Sequence, residues 1–177
     1  MSGIRFVFVF LAAIISLSGC ATPDGGTAAA LHIRSIEDDQ FSKNVVINGA
    51  EVYVNPFGGT FRSWFIRSWV DKKTHAVSHQ LYVDISYIGQ WEFFSFAADD
   101  TAKTLDVTKI NSKVGDCFGG CSLSETIGIS LDDSILRSRV TNGYQIKVSA
   151  KSGDSLILPI SPEQIRLQMA AVDQYLK

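Results

Sequence analysis

"FRSWFIRSWVDKKTHAVSHQLYVDISYI", residues 61–88, contains two long strand patterns on either side of a polar turn at Asp71–Thr74. In the second, Val77, Leu81, Val83, Ile85 and Tyr87 share one side, and Ser78, Gln80, Asp84 and Ser86 share the other. A period of two gives an extended chain one apolar and one polar face. The first pattern differs. Phe61, Phe65 and Trp69 oppose Trp64, Ile66 and Val70, so apolar side chains sit on both faces. Both must be covered, by the domain itself or by something it binds, because exposed apolar area is unfavourable in water.

The rest of the chain is read outward from this pair. Gly89 marks a turn or bulge, and "WEFFSFA" (91–97) resumes as a strand. Leu105, Val107 and Lys109 begin another alternation. In "CSLSETIGISL" (121–131), Leu123, Ile127, Ile129 and Leu131 share a face beside Glu125. Residues 132–139 form a short helix with an aspartate cap. Asn142-Gly143 is a turn, and 144–150 with 155–160 read as a closing hairpin. Ser161, Pro162 and Gln164 start a C-terminal helix with a capping box. Ile165, Met169, Val172 and Leu176 line one side of it, a face expected to pack on the sheet. Phe41–Val54 contributes one or two strands. The expected fold is α+β, mainly antiparallel β-sheet of meander or sandwich-like form, with helices near 132–139 and at 162–176.

The N-terminus carries a different kind of signal. Phe6 to Leu17 is an apolar run interrupted only by Ser16, and one basic residue, Arg5, precedes it. A membrane-spanning helix needs roughly 17–25 residues, whereas a secretory h-region has this shorter length. Leu17-Ser18-Gly19-Cys20 then resembles the lipobox of bacterial lipoproteins. The resemblance implies that 1–19 are removed and that Cys20 becomes the acylated first residue of the mature chain. Ala21 follows the cysteine in place of the aspartate that favours inner-membrane retention, which implies the outer membrane. Residues 20–30 read as the lipidated cysteine and a flexible tether, and 31–177 as a single strand-rich domain. The run from Ser68 to Phe94, with a cysteine pair downstream, also resembles small lipoproteins of Gram-negative bacteria. That likeness implies no activity.

Composition narrows the partners. The chain has 16 Lys+Arg and 18 Asp+Glu in 177 residues. No basic patch stands out, so nucleic acid and anionic lipid surfaces have no electrostatic support. With Cys20 assigned to lipid, Cys117 and Cys121 remain, and an even remainder in an oxidising envelope favours a disulfide. "CFGGC" suits a small ring, since Gly119 and Gly120 tolerate unusual backbone angles. The familiar redox motif instead has two intervening residues at a helix start.

Catalytic and metal patterns are weak. On a strand, the H-x3-H pair His75 and His79 lies about 13 Å apart, too far to share one metal ion. His32 lies near the tether, far along the sequence from His75 and His79. The paired acids Asp38-Asp39, Asp99-Asp100 and Asp132-Asp133 fall at turns or helix starts, where capping accounts for them. There is no G-x-S-x-G, phosphate-cradling loop or dinucleotide fingerprint. No cofactor is implied. The aromatic block remains: eleven aromatic residues lie between Phe57 and Phe96. Core packing explains most of them. Trp64, Trp69 and Trp91 are the candidates for a binding surface, a groove for an acyl chain, a peptidoglycan stem or a partner strand. The expectation is a noncatalytic, lipid-anchored envelope protein that binds or assembles at the periplasmic face of the outer membrane. The alternative is an envelope hydrolase with an unrecognised site.

Overall fold

The computed structural model describes residues 30–55, 60–117 and 119–177. The expected signal segment 1–19, the expected lipidation site Cys20 and the expected tether up to residue 29 lie outside the described residues.

The two long patterns form β4 (Phe61–Asp71) and β5 (Val77–Ile88), paired antiparallel with Trp64 opposite Val83 and Ile66 opposite Leu81. Asp71 makes the turn between them. Its carboxylate accepts the N–H groups of Lys73 (2.9 Å) and Thr74 (2.8 Å) and pairs with Lys43 at 2.7 Å. Upstream lie β1 (Ser35–Glu37), β2 (Asn44–Asn48) and β3 (Val52–Val54); β2 and β3 both pair with β4. Downstream, β8 (Val107–Cys117) and β9 (Cys121–Leu131) form a hairpin, and β9 lies beside β5. Among the described residues this sheet has seven strands, ordered β1-β2-β4-β5-β9-β8 with β3 also on β4.

A second sheet of four strands contains β6 (Phe94–Asp99), β7 (Thr104–Leu105), β10 (Tyr144–Ala150) and β11 (Ser155–Ile160), in the order β11-β10-β6-β7. The fold is therefore α+β and dominated by antiparallel sheet. Leu105 and Val107, read as one alternation, belong to different sheets: the chain crosses at Asp106. The inner faces of the two sheets share one core. Trp64, Ile66, Leu81, Val83, Ile85, Ile127 and Ile129 pack in the same cluster as Phe94, Ile146, Val148 and Leu158. Trp64 also ties the sheets together, donating its Nε1–H to the Pro159 carbonyl at 3.0 Å.

The helices are α1 (Asp133–Ser138) and α2 (Pro162–Asp173). The α2 capping box is complete: Gln164 N–H donates to Ser161 Oγ at 3.1 Å, and Ser161 N–H to Gln164 Oε1 at 3.0 Å. Ile165, Met169 and Val172 are buried, the last against Val45, Ile47 and Val70, so the apolar helix face packs on the larger sheet. Two glutamines share that buried stripe. Gln164 Nε2 donates to the Ala50 carbonyl (3.1 Å), and Gln168 Nε2 to the Ile47 carbonyl (3.1 Å) and Ser68 Oγ (2.6 Å).

The second apolar face of β4 is covered by the chain's own cations. Phe65 stacks on Tyr82 with ring centroids 4.9 Å apart, and the Arg34 guanidinium sits 5.2 Å from the Phe65 ring. Arg67 lies 4.7 Å from both Trp69 and Tyr82 and donates to Gln80 Oε1 at 2.7 Å. Cations over aromatic faces are attracted by the ring quadrupole, and their methylene stems exclude water. Gly128 completes this surface: a Cβ there would come within 2.1 Å of the Gln80 amide, which occupies the space the glycine leaves.

Candidate functional site: an apolar cleft at the β8–β9 hairpin

Residues 91–93 do not continue a strand. The sheet resumes only at Phe94, and Phe93 has φ +58°, a left-handed conformation that costs a non-glycine residue free energy. The cause lies on β9. The buried Glu125 carboxylate accepts the N–H of Phe93 (3.0 Å) through Oε1 and that of Phe94 (3.2 Å) through Oε2. Tyr87 O–H also donates to Glu125 Oε1, while the Tyr87 oxygen accepts the Glu92 N–H at 2.9 Å. Burial, then the Glu125 carboxylate, pushes the Tyr87 hydroxyl pKa well above its ordinary value, so it stays a donor. From the other sheet, Lys151 N–H donates to the Phe93 carbonyl (3.2 Å) and Ser152 N–H to that of Glu92 (3.4 Å). Loop 89–93 is thus held at both sides, in a shape its own residues would not choose.

That loop forms one wall of an apolar cleft of about 500 Å³, lined by Gly89, Gln90, Trp91, Phe93, Val114, Cys121 and Leu123. Trp91 and Phe93 have ring centroids 6.3 Å apart. Phe93 is 46% exposed and Val114 59%. These apolar side chains collect at one end of the larger sheet, where isolated exposed residues would be unremarkable but a lined depression is not.

The hairpin supplies the opposite wall. Cys117 and Cys121 face each other in the β8–β9 register, sulfurs 2.18 Å apart and α-carbons 4.0 Å apart. Gly119 (φ +73°) and Gly120 (φ +151°) provide the turn that allows it. Closing a five-residue loop is worth about 2 kcal/mol. Cys121→Ala is therefore expected to lower stability by up to about 2 kcal/mol in chemical denaturation. Alkylation of native protein should find both thiols blocked until reductant is added.

The three tryptophans occupy three separate environments. Trp64 is core, 2% exposed. Trp69 is half-buried on the outer face beneath Arg67. Only Trp91 lines the cleft, so no shared tryptophan surface exists. Phe93, Val114 and Leu123 join it, and Glu125 positions the loop. A glutamate at a core-facing position among Leu123, Ile127 and Ile129 was the available sequence signal.

His75 and His79 are likewise separated in environment. His75 is an exposed turn residue at φ +58°, whereas His79 is buried. His79 Nδ1 lies 2.7 Å from Ser68 Oγ, and Nε2 lies 2.9 Å from Asp133 Oδ1. Such a serine–histidine–aspartate series invites a hydrolase reading. However, Ser68 is wholly inaccessible (0% exposed), and its oxygen already accepts from Gln168. A substrate carbonyl has no path to it. The series instead links α2, β4, β5 and α1, with the hydrogen-bond order Gln168 to Ser68 to His79 to Asp133. Among the described residues, no group of three His, Cys, Asp or Glu could hold a metal ion.

Burial lowers the His79 pKa below its ordinary 6.5, against the opposing pull of Asp133. The folded state thus resists a proton that the unfolded chain accepts. His79 contributes fully above pH 6.5, and its contribution is lost as pH falls below that value. Melting temperature is expected to drop between pH 7 and 5, with a shallower slope in His79→Gln. Equal slopes would rule out the histidine as the cause. The Asp133 carboxyl is also lowered: desolvation opposes the shift, but hydrogen bonds from His79 and Arg137 outweigh it. It therefore adds its own loss only at more acidic pH.

No protein-family model, curated protein or solved structure matches this chain.

Proposed function

We propose that this protein is a lipid-anchored envelope lipoprotein with a noncatalytic binding role at the periplasmic face of the outer membrane, and that the β8–β9 cleft takes an acyl chain. The observation that carries the binding role is the cleft itself. A buried carboxylate is committed to holding Phe93 and Phe94, the end of the loop that carries Trp91, beside an apolar depression of about 500 Å³. Apolar lining with few polar groups suits an alkyl ligand, whose affinity derives from buried area. The anchor reading rests on Leu17-Ser18-Gly19-Cys20 and the apolar run before it. Several acyl chains at about 0.8 kcal/mol per buried methylene hold a protein stably, whereas one is marginal. No helix among the described residues is long and apolar enough to cross a membrane.

Two measurements test the two halves. Cys20→Ala is expected to abolish metabolic lipid labelling and leave an unprocessed precursor; labelling that persists overturns the anchor. For the cleft, titration with a brominated fatty acid should quench part of the tryptophan emission. Trp91→Phe should remove that quenching, since Trp64 is buried and Trp69 lies under Arg67. Trp91→Ala should cost less stability than Trp64→Ala, because the Trp91 ring is only partly buried against the core, while the fatty acid is lost. Absence of quenching in the wild-type protein overturns the acyl-chain reading. Turnover of a cell-wall or lipid substrate, abolished by one side-chain change, would overturn the noncatalytic one.

A further inference from the structure

The polar groups in and around the apolar cleft carry a charge pattern that its apolar lining does not reveal. Two polar side-chain groups belong to the described lining residues, the amide of the exposed Gln90 and the Trp91 indole N–H, and both are neutral. Acids flank them on both walls. Glu92 lies between Trp91 and Phe93 in the loop, and Asp116 precedes Cys117 on the hairpin. Behind the loop, Glu125 holds the Phe93 and Phe94 N–H groups from β9.

Among the described residues, no cation lines the cleft. Lys113 is next to Val114 on β8, but successive strand residues point to opposite faces. It lies opposite Ser124 and lines a separate depression with Asp84 and Tyr53. Lys109 lies opposite Ile127, about 13 Å along the sheet from Leu123. Arg62, on β4, is separated from Glu125 by Ile85 of the intervening β5. Lys151 meets the loop through its backbone, donating N–H to the Phe93 carbonyl at 3.2 Å, and the residue is exposed.

This pattern discriminates among acyl ligands by their head group. A carboxylate drawn into the cleft would lose hydration, find no cation, and meet acids of its own sign on both walls. An unpaired charge is costly to take out of water, and like charges add to that cost. An ester has no charge to desolvate. Its carbonyl oxygen accepts from the Gln90 amide or the Trp91 N–H. An amide link would bring a donor as well, for which Gln90 Oε1 is the acceptor among the lining side chains. Burying that extra donor costs more than burying an ester oxygen. We infer that the cleft takes an acyl chain as its neutral ester and discriminates against the free fatty acid. This rests on the acyl-chain reading of the cleft and adds the head-group chemistry. A volume of about 500 Å³ suits one such ligand, so a single-chain glycerol ester is the form to test.

The test compares a brominated fatty acid with its glycerol monoester and its N-methyl amide. Each is titrated into the full chain in a neutral detergent at about pH 9, well above the carboxyl range. Quenching of tryptophan emission beyond that seen in Trp91→Phe reads occupancy of the cleft. The ester is expected to half-saturate at a concentration about tenfold or more below that of the acid, with the amide in between. Gln90→Lys places a cation at an exposed lining position. It should raise the affinity of the acid about tenfold and so close the gap. An acid bound as tightly as the ester overturns the inference while the acyl-chain reading stands. So does an amide bound more tightly than the ester, or a gap that Gln90→Lys leaves unchanged. Quenching by none of the three ligands overturns both readings, so the two failures are distinguishable.

Discussion

Glu125→Leu is expected to destabilise the domain by about 3–5 kcal/mol and to abolish fatty-acid binding in the cleft. The loss is not that of a charge alone. Phe93 N–H, Phe94 N–H and Tyr87 O–H all donate to this carboxylate, and a leucine leaves them without that acceptor, the latter two in buried positions. Each buried donor left without a partner costs about 1–3 kcal/mol. Phe93 at φ +58° then loses the interaction that offsets its conformational cost. Loop 89–93 should relax toward an extended shape and withdraw Trp91 and Phe93 from the cleft. Glu125→Gln keeps the shape and one acceptor oxygen, so its loss should be smaller. The discriminating measurement is amide hydrogen exchange at Phe93 and Phe94, fast in Glu125→Leu at temperatures where the sheet remains protected. Protected amides in the leucine variant would show that the loop is held by something else.

Trp64→Ala is expected to cost about 3–5 kcal/mol, the usual range for emptying a large aromatic site in a core. The indole is 2% exposed, and its N–H is the donor to Pro159 O at 3.0 Å. Pro159 lies on the edge strand β11, where its missing N–H removes no ladder bond. Removing Trp64 therefore empties space between the sheets and leaves that carbonyl unpaired. Trp64→Phe should cost less, because most of the volume stays. Denaturant midpoints for Trp64→Ala and Trp91→Ala provide the contrast: a large fall for the first and a clearly smaller one for the second, whose ring is only partly buried against the core. Similar falls would mean that Trp91 is also core and that the cleft is not a binding feature.

The strands that were legible are those with one covered and one wet face. In β5 and β9 the period of two writes the core side directly into the sequence. The α2 start was legible because Ser161, Pro162 and Gln164 act on one another within a single turn. β1 was not. It has three residues, Ser35–Glu37, and exists through pairing with β2. Residues 91–93 were misread as strand for a related reason, since their apolar content favours extension. The carboxylate that captures the Phe93 N–H is 32 positions away. The crossing at Asp106 was equally hidden, because alternation is the same whichever sheet a strand joins.

Of the candidate site, the sequence nominated Trp91 but grouped it with Trp64 and Trp69, which lie elsewhere. Aromatic composition reports how much apolar surface a segment carries and says nothing of what lies across from it. Phe65 shows this well: its apparent exposure on a second face is removed by Arg34, a residue far upstream whose guanidinium lies over the ring.

Local chemistry in the sequence thus determined the strand-rich α+β class, the β4–β5 pair, the helix cap and the cysteine ring, because each is set by neighbours within a turn or by alternation along one strand. The tertiary structure alone decided which sheet each strand joins, which tryptophan faces a cleft, and which polar groups sit in the core. Glu125, His79 and Gln168 can be buried only because their partners arrive from other elements, Gln168 reaching Ile47 across 121 positions. Burial of a polar group depends on a partner meeting it in space, and no pattern along the chain records that meeting.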